Sequence, residues 1–188
     1  MDKKYKIIGI AGSLRKNSIN SGLLRAAMAE LPDNLELEIA DISGLPNYNG
    51  DVDSAGPLEA VVKLCERIKN ADGLLISTPE YNYSIPGFLK NAIDWVSRSP
   101  LKPFNEKPFA MMGATGGLVG GTVRAQIHLR GIAVYVNMIP MNKPEMLVAN
   151  STEKFDAEGN LTDERTLKHL KIFLESFSKW IEKVGGNK

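Results

Sequence analysis

Short apolar runs alternate along the chain with segments in which apolar residues recur at helical spacing. The runs are typical of buried β-strands, and the recurring positions are typical of helices that pack one face against a sheet. Five strands are predicted in this way, at residues 6–11, 35–39, 73–77, 108–112 and 133–138. Five helices are predicted at residues 18–31, 58–71, 86–97, 122–130 and 162–184. The polar stretch 46–57 is predicted to be a loop, and so is most of 142–160.

The alternating order predicts an α/β fold, in which one parallel sheet carries helices on both faces, because each parallel connection needs a crossover helix. In such sheets, ligands bind beyond the carboxyl ends of the strands, where the strand order changes direction. The loops that follow Ala11, Ser77 and Met112 are therefore the first candidates for a site. They are also the three loops with unusual chemistry, which is the first indication of function.

Composition narrows the classes of function that remain. The 188 residues suit one domain, predicted to span residues 1–188, and a content of 43% hydrophobic and 24% charged residues is typical of globular proteins. The formal charge of +1 offers no electrostatic argument for a nucleic acid or a membrane as partner. A single cysteine excludes an intrachain disulfide and sites built from several thiolates. The chain shows no hydrophobic signal region and no apolar run near the roughly 20 residues that cross a bilayer, so a cytoplasmic location is expected.

The segment after the first predicted strand contains several groups that suit a phosphate. Ser13, Ser18 and Asn20 offer short hydroxyl and amide groups, and the helix that follows presents unpaired backbone N–H groups and its positive dipole end. Arg15 adds a charge with forked donors. We interpret the cluster as a phosphate cradle; the alternative is that it only caps the helix and that its basic side chains are solvated. Since neither a Walker A ending nor a dinucleotide glycine pattern is present, a mononucleotide fits best.

Residues 78–87 form the most specific segment of the chain. Prolines near both ends stiffen it, and Tyr81 and Tyr83 lie between them in a region too polar for a core. Asn82 and backbone amides can address the edge of a flat heterocycle, while an aromatic ring or a proline covers its face. The alternative is a rigid turn that packs a subunit interface, and the two roles are compatible.

These segments carry a resemblance to a known family. The motifs are Gly-Ser-Leu-Arg at 12–15 with Ser18 and Asn20, Pro-Glu-Tyr-Asn at 79–82, Ser-Ile-Pro-Gly at 84–87 and Leu-Lys-Asn-Ala-Ile-Asp-Trp at 89–95. With them the chain resembles the NADPH-dependent FMN reductase family, a flavodoxin-like group that includes bacterial quinone, azo-dye and chromate reductases. The resemblance runs from about Tyr5 to the C-terminal helix. It implies a flavodoxin-like fold, with a five-stranded parallel sheet of order 2-1-3-4-5.

The resemblance also implies a non-covalent FMN held by the three loops. The residues implied for the phosphate are Ser13, Arg15, Ser18 and Asn20. The residues implied for the isoalloxazine ring, chiefly through backbone N–H groups and the tyrosines, are Pro79, Glu80, Tyr81, Asn82 and Tyr83.

The glycine-rich segment 115–121 matches the family's turn beside the flavin. It brings Thr115, Gly116 and Gly117 to the ring, although the family usually has Ser and Pro where this chain has Ala114 and Thr115. Arg124 follows this segment, and the sequence leaves open whether it meets a second phosphate or a neighbouring carboxylate. Members of the family commonly form dimers or tetramers with the flavin near a subunit boundary, so self-association is expected.

The function implied is that of an FMN-dependent NAD(P)H oxidoreductase with a ping-pong mechanism. NADPH or NADH would deliver hydride and leave, and a quinone, free flavin, azo compound or metal oxyanion would then enter the same space. No catalytic side chain and no metal is expected, because the redox chemistry belongs to the cofactor. One alternative is a flavodoxin-like FMN electron carrier, although such carriers tend to be acidic and this chain is near neutral. Another is a binding module for a different phosphorylated ligand.

Five other residues invite functional readings that the pattern does not favour. Cys65 lies on the apolar side of a helical segment, which predicts a buried structural thiol. His128 and His169 lack a metal-ligand arrangement and are expected to lie at the surface or to have protein partners. Trp95 and Trp180 fall on apolar helix faces, so we expect them in the core or at an interface.

Overall fold

The computed structural model describes residues 3–185, and the two ends of the predicted domain, residues 1–2 and 186–188, lie outside them. The strands are β1 (Tyr5–Ala11), β2 (Leu35–Ala40), β3 (Gly73–Ser77), β4 (Pro108–Ala114), β5 (Ile139–Pro140) and β6 (Met146–Val148). The helices are α1 (Ile19–Ala29), α2 (Gly50–Ala55), α3 (Glu59–Asn70), α4 (Gly87–Arg98), α5 (Val123–Val136) and α6 (Glu164–Gly185). Among residues 3–185, no helix has both the length and the apolar character needed to cross a membrane.

The sheet is parallel, and its strand order β2-β1-β3-β4-β5 confirms the predicted α/β fold. The described sheet has six strands rather than the five expected, because two short strands share the outer position beside β4. β5 pairs with the start of β4 at Pro108 and Phe109, and β6 pairs with its end from Met112 to Ala114.

Successive side chains of the central strands enter two separate apolar layers, as the two-residue period of a strand requires. Ile8 and Leu74 belong to the layer covered by α3, α4 and α5. Ile7 and Leu75 belong to the opposite layer, which α1 and α6 cover. Because both faces are covered, every residue of β3 and β4 is buried, and these strands appear in the sequence as continuous apolar runs.

The strand predicted at residues 133–138 is wrong, because α5 continues through most of it. The apolar run that begins at Ala133 is rich in strand-favouring residues. In the structure Ala133 is buried, whereas Val134 and Tyr135 are 83% and 82% exposed on the outer side of the helix. Asn137 ends the helix in the left-handed region, with φ 57°, and donates its N–H to the carbonyl of Ala133.

Both predicted loops contain short regular elements. Residues 46–57 include α2, whose N-cap Asn49 accepts the N–H of Asp51 at 2.9 Å; no residue of this helix is buried, so apolar periodicity could not indicate it. Residues 142–160 include β6 and a 3₁₀ turn. The last helix begins at Glu164 rather than at the predicted residue 162.

Candidate functional site at the carboxyl edge of the sheet

Three loops lie side by side at the carboxyl edge of the sheet. Loop 1, loop 2 and loop 3 comprise residues 12–18, 78–86 and 115–122. Two backbone hydrogen bonds extend the strand pairing into them: Gly12 N–H donates to Ser77 O at 2.6 Å, and Thr78 N–H donates to Met112 O at 3.0 Å. These bonds hold the starts of the loops together beside the point between β1 and β3 where the strand order changes direction.

The end of loop 1 is a capped helix start. Ser18 Oγ accepts the N–H groups of Asn20 and Ser21 at 3.2 and 3.3 Å, and Ser18 itself is 3% exposed. Ser18 therefore caps α1, which is the alternative role that the sequence left open for this segment. Capping uses only the acceptor capacity of the hydroxyl, whose hydrogen remains free to be donated.

The rest of loop 1 has an excess of hydrogen-bond donors. Within residues 3–185, the N–H groups of Leu14, Lys16 and Asn17 have no acceptor. The Arg15 side chain is exposed and has no partner in the described part of the chain. Ser13 is buried, and its Oγ lies 3.5 Å from the N–H of Arg15. Together with the N-terminus of the 11-residue helix α1, these groups form a positively polarised set of donors.

Asn20 is the fourth residue predicted for the phosphate, and its side-chain amide makes three hydrogen bonds within the protein. Its Nδ2 donates to Ala114 O at 3.0 Å, and its Oδ1 accepts Ala114 N–H at 2.9 Å. Ser77 Oγ donates to the same Oδ1 at 3.3 Å. The side chain is 1% exposed and connects α1 with the ends of β3 and β4.

Loop 2 contains a tight two-residue turn. Tyr81 and Ser84 exchange backbone hydrogen bonds of 2.8 and 2.9 Å across it. The two central residues, Asn82 and Tyr83, have φ values of 50° and 64°, a combination found in type I′ turns. Positive φ is unfavourable for a tyrosine, so the surrounding contacts must hold this turn in place. It presents Tyr81 and Tyr83 outward, with exposures of 45% and 64%.

Glu80 supplies the capping group that helix α5 lacks. Thr122, the residue before α5, makes no side-chain cap, and the first turn of α5 has no acidic residue. Glu80 Oε2 accepts the N–H groups of Arg124 and Ala125 at 2.9 and 3.1 Å. This carboxylate stabilises the positive end of the helix dipole and ties loop 2 to the start of α5, which directly follows loop 3.

Arg124 completes this connection. Its Nη1 lies 3.5 Å from Glu80 Oε1, and its guanidinium carbon lies 3.9 Å from the centroid of the Tyr83 ring. Of the two roles that the sequence left open for Arg124, the structure shows the one with a neighbouring carboxylate. The cation–π contact also packs the strained turn against α5.

Loop 3 is held mainly through its backbone. Thr115 N–H donates to Val148 O at 2.9 Å, and Thr115 O accepts the N–H of Ser151 at 3.1 Å. Gly117 O accepts the N–H of Asn150 at 2.9 Å. β6 and the 3₁₀ turn thus anchor the start of the loop, while Gly116 and Gly117 remain exposed.

The five residues for which the sequence did not favour a functional role are buried or hydrogen-bonded within the protein. Cys65 is 1% exposed, and burial raises the pKa of its thiol, which confirms the buried thiol. His128 Nδ1 lies 2.9 Å from Ser84 Oγ, and His169 Nε2 lies 2.8 Å from Glu145 O. Trp95 is buried, and its indole donates to Pro46 O at 2.8 Å. The Trp180 indole, half-buried, donates to Ile139 O at 3.1 Å.

Sequence reasoning missed two features of the site. The first is the capping role of Glu80, whose one indirect signal is the missing acidic residue in the first turn of α5. The second is the contact of Ser77 with Asn20, since a serine at the end of a buried strand carries no signal of its partner.

A groove of about 940 Å³ lies between α4 and α5. It begins at loop 2, where Ser84 and Ile85 line it.

Comparisons with known proteins place this geometry in a family context. A family model described as NADPH-dependent FMN reductase matches residues 5–153. The chain is 45% identical to the NAD(P)H-dependent FMN reductase of Pseudomonas aeruginosa, over 99% of this chain and 100% of that protein. It is 40% identical to the quinone reductase of Escherichia coli K12, over 98% of this chain and 99% of that protein.

A solved structure is similar over the same length. The flavoenzyme NAD(P)H:(acceptor) oxidoreductase from Paracoccus denitrificans superposes with a TM-score of 0.85 and 38% identity, over 95% of this chain and 98% of that one. The matched residues 5–153 of the family model include all three loops as well as the sheet.

We expect Glu80→Ala to lower the free energy of unfolding by about 1–2 kcal/mol, because two N–H groups at the start of α5 lose their acceptor. Arg124→Ala is the matched variant. It removes the exposed partner of the same ion pair together with its contact to the Tyr83 ring, leaves the capping carboxylate in place, and should cost less than about 1 kcal/mol. Urea unfolding followed by circular dichroism measures both values. Equal losses in the two variants would show that the ion pair, and not the cap, carries the stabilisation.

Proposed function

Since the chain belongs to the NADPH-dependent FMN reductase family, we propose that it is an oxidoreductase that uses NAD(P)H to reduce small acceptors, quinones among them, with FMN as its cofactor. The family resemblance predicted from the motifs of loops 1 and 2 is thereby confirmed. When bound, FMN would supply the redox chemistry, which is hydride transfer between NAD(P)H and the acceptor. The chain's own residues bind this group and orient it. The cytoplasmic location stays a prediction.

The donor set of loop 1 is the observation that supports the proposal most strongly. A phosphate monoester needs several hydrogen-bond donors and positive charge, and a helix N-terminus supplies both. Loop 1 adds the N–H groups of Leu14, Lys16 and Asn17 and the guanidinium of Arg15, none of which has a partner among residues 3–185. In this proposal Ser13, Arg15 and Ser18 hold the phosphate of FMN.

Loops 2 and 3 suit the uncharged part of the same ligand. The carboxylate of Glu80 is directed to α5, so the outer side of the turn presents Tyr81, Asn82 and Tyr83 without a free charge. Gly116 and Gly117 carry no side chain that would keep a flat ring from the backbone of loop 3. Pro79–Tyr83 and Thr115–Gly117 line the isoalloxazine in this proposal.

Self-association is part of the proposed function. Ile127, Val134 and Tyr135 are 59%, 83% and 82% exposed along one side of α5. They adjoin or line the groove between α4 and α5 that begins at loop 2. An apolar surface of this kind is typical of an interface. A second copy bound there would lie close to Tyr81 and Tyr83, so the site would be near a subunit boundary.

Reduction by nicotinamide tests the proposed activity. After the purified protein is loaded with FMN, anaerobic mixing with NADPH or NADH in a stopped-flow instrument should bleach the flavin absorbance. A quinone added next should restore it, and initial rates at varied NAD(P)H and quinone should give the parallel double-reciprocal lines of a ping-pong mechanism. If neither nicotinamide bleaches the loaded protein, the enzymatic proposal is wrong.

Removal of Arg15 tests the phosphate cradle. We expect Arg15→Ala to weaken FMN binding about 10- to 100-fold, since a charge-assisted bidentate contact is lost. Turnover at saturating FMN should fall far less than the affinity. The control is Lys16→Ala, which removes the same charge from the next exposed position. Fluorescence titration gives both dissociation constants, and an equal loss in the control would point to net charge rather than to a specific contact.

A charge on the outer side of α5 tests the interface. We expect Tyr135→Glu to shift the protein from dimer or tetramer towards monomer, because burying the new carboxylate against a second copy is unfavourable. Ile172→Glu is the matched control: Ile172 is 55% exposed on α6, on the other face of the sheet, and its change should leave the assembly intact. Sedimentation velocity measures the result. A wild-type monomer at tens of micromolar would contradict the proposal.

A further inference from the structure

We propose that Asn20 is a positioning residue, whose side-chain amide holds loop 3 against the start of α1 and so sets the distance between the phosphate cradle and the loop beside the ring. The inference rests on the proposed function, because it concerns how the same loops hold FMN. It departs from the direct phosphate contact that the family resemblance implies for Asn20.

The pairing with Ala114 is a two-point contact. Nδ2 donates to Ala114 O at 3.0 Å while Oδ1 accepts Ala114 N–H at 2.9 Å, so the amide binds the donor and the acceptor of one residue. This arrangement fixes which way the amide faces, since the opposite orientation would place donor against donor and acceptor against acceptor. Ala114 directly precedes Thr115, the first residue of loop 3.

The amide has little capacity left for a ligand. The hydrogen bonds from Ala114 N–H and Ser77 Oγ occupy both lone pairs of Oδ1. One of the two Nδ2 hydrogens is used, and the side chain is 1% exposed. A phosphate could therefore be bound only through the second Nδ2 hydrogen, and such a contact would leave the three bonds to Ala114 and Ser77 in place.

The other end of the connection is equally well fixed. Asn20 N–H donates to Ser18 Oγ, so the backbone of Asn20 belongs to the capped start of α1 from which loop 1 emerges. Its side chain reaches the end of β4, 94 positions later in the chain. A shift of the end of β4, from which loop 3 begins, relative to the start of α1 must therefore break these buried bonds. The amide acts on the ring through loop 3, without contacting the ring.

FMN and riboflavin differ only in the phosphate, so comparing their binding shows whether Asn20 positions loop 3 or contacts the phosphate directly. FMN and riboflavin dissociation constants, measured by fluorescence quenching, are compared among wild type, Asn20→Ala and Arg15→Ala. We expect Arg15→Ala to weaken FMN binding and leave riboflavin binding nearly unchanged. We expect Asn20→Ala to weaken both by a similar factor, about tenfold, because the ring loop is displaced for either ligand.

A spectroscopic readout distinguishes positioning from general destabilisation. The visible circular dichroism of bound riboflavin reports how the ring lies against the protein; it should change in Asn20→Ala and stay unchanged in Arg15→Ala. The matched control is Asn34→Ala, which removes an amide that donates to Ser178 Oγ at 2.8 Å in the contact between the start of β2 and α6. It should lower stability without changing either affinity or the dichroism.

The outcomes separate this inference from the proposed function. Loss of FMN affinity alone in Asn20→Ala would make Asn20 a phosphate contact and overturn the proposal, as would unchanged affinities for both flavins. If Asn20→Ala does not fold, Ser77→Ala removes only the hydroxyl that binds Oδ1, and it should weaken both flavins about threefold; a change in neither would overturn the proposal. A wild-type protein that binds neither flavin would refute the proposed function itself.

Discussion

The parallel pairing of β1, β3 and β4 is the constraint on which the rest of the site depends. Ser77, the last residue of β3, pairs with the last residue of β1 on one side and with Met112 of β4 on the other, so β1 and β3 end at one level and β4 ends two residues beyond it. Thr78 then passes between two glycines. A Cβ on Gly113 would lie 2.2 Å from Thr78 O, and one on Gly12 would lie 2.6 Å from Thr78 Oγ1. Only residues without a side chain allow the three loops to begin this close together.

The sequence predicted the centre of the fold better than its edge, for a physical reason. Strands covered on both faces must be apolar throughout, so β3 and β4 are visible as uninterrupted runs. The outer position is filled by β5 and β6, which have two and three residues and are defined by pairing with β4 rather than by their own composition. The run at 133–138 has strand-favouring residues, but the exposed Val134 and Tyr135 lie on the outside of a helix. Composition alone does not distinguish apolar residues exposed on the outside of a helix from apolar residues buried in a strand.

The location of the site also followed from the sequence, whereas the task of each polar side chain did not. Topology places the loops after three buried strands at one edge, and their unusual residues stand out there. Glu80 and Asn20, however, bind backbone groups 44 and 94 positions away. A polar residue beside a predicted ligand looks the same in sequence whether it binds that ligand or holds the scaffold. Only the contacts show that these two hold the scaffold.

The two arginines near the site differ in their partners, and in the proposed function this difference sets the orientation of the ligand. Arg124 is engaged by the carboxylate of Glu80 and by the ring of Tyr83, so its charge is compensated where loop 2 meets α5. Arg15 has no such partner among the described residues and adjoins the free N–H groups of loop 1. An anion is therefore attracted to loop 1, while the neutral turn of loop 2 offers tyrosine and backbone to an uncharged flat group. With the ring at the opposite end, the phosphate would meet a carboxylate and an arginine that is already paired, and loop 1 would keep its donors unsatisfied. The internal ion pair thus contributes to orientation without any contact with the phosphate.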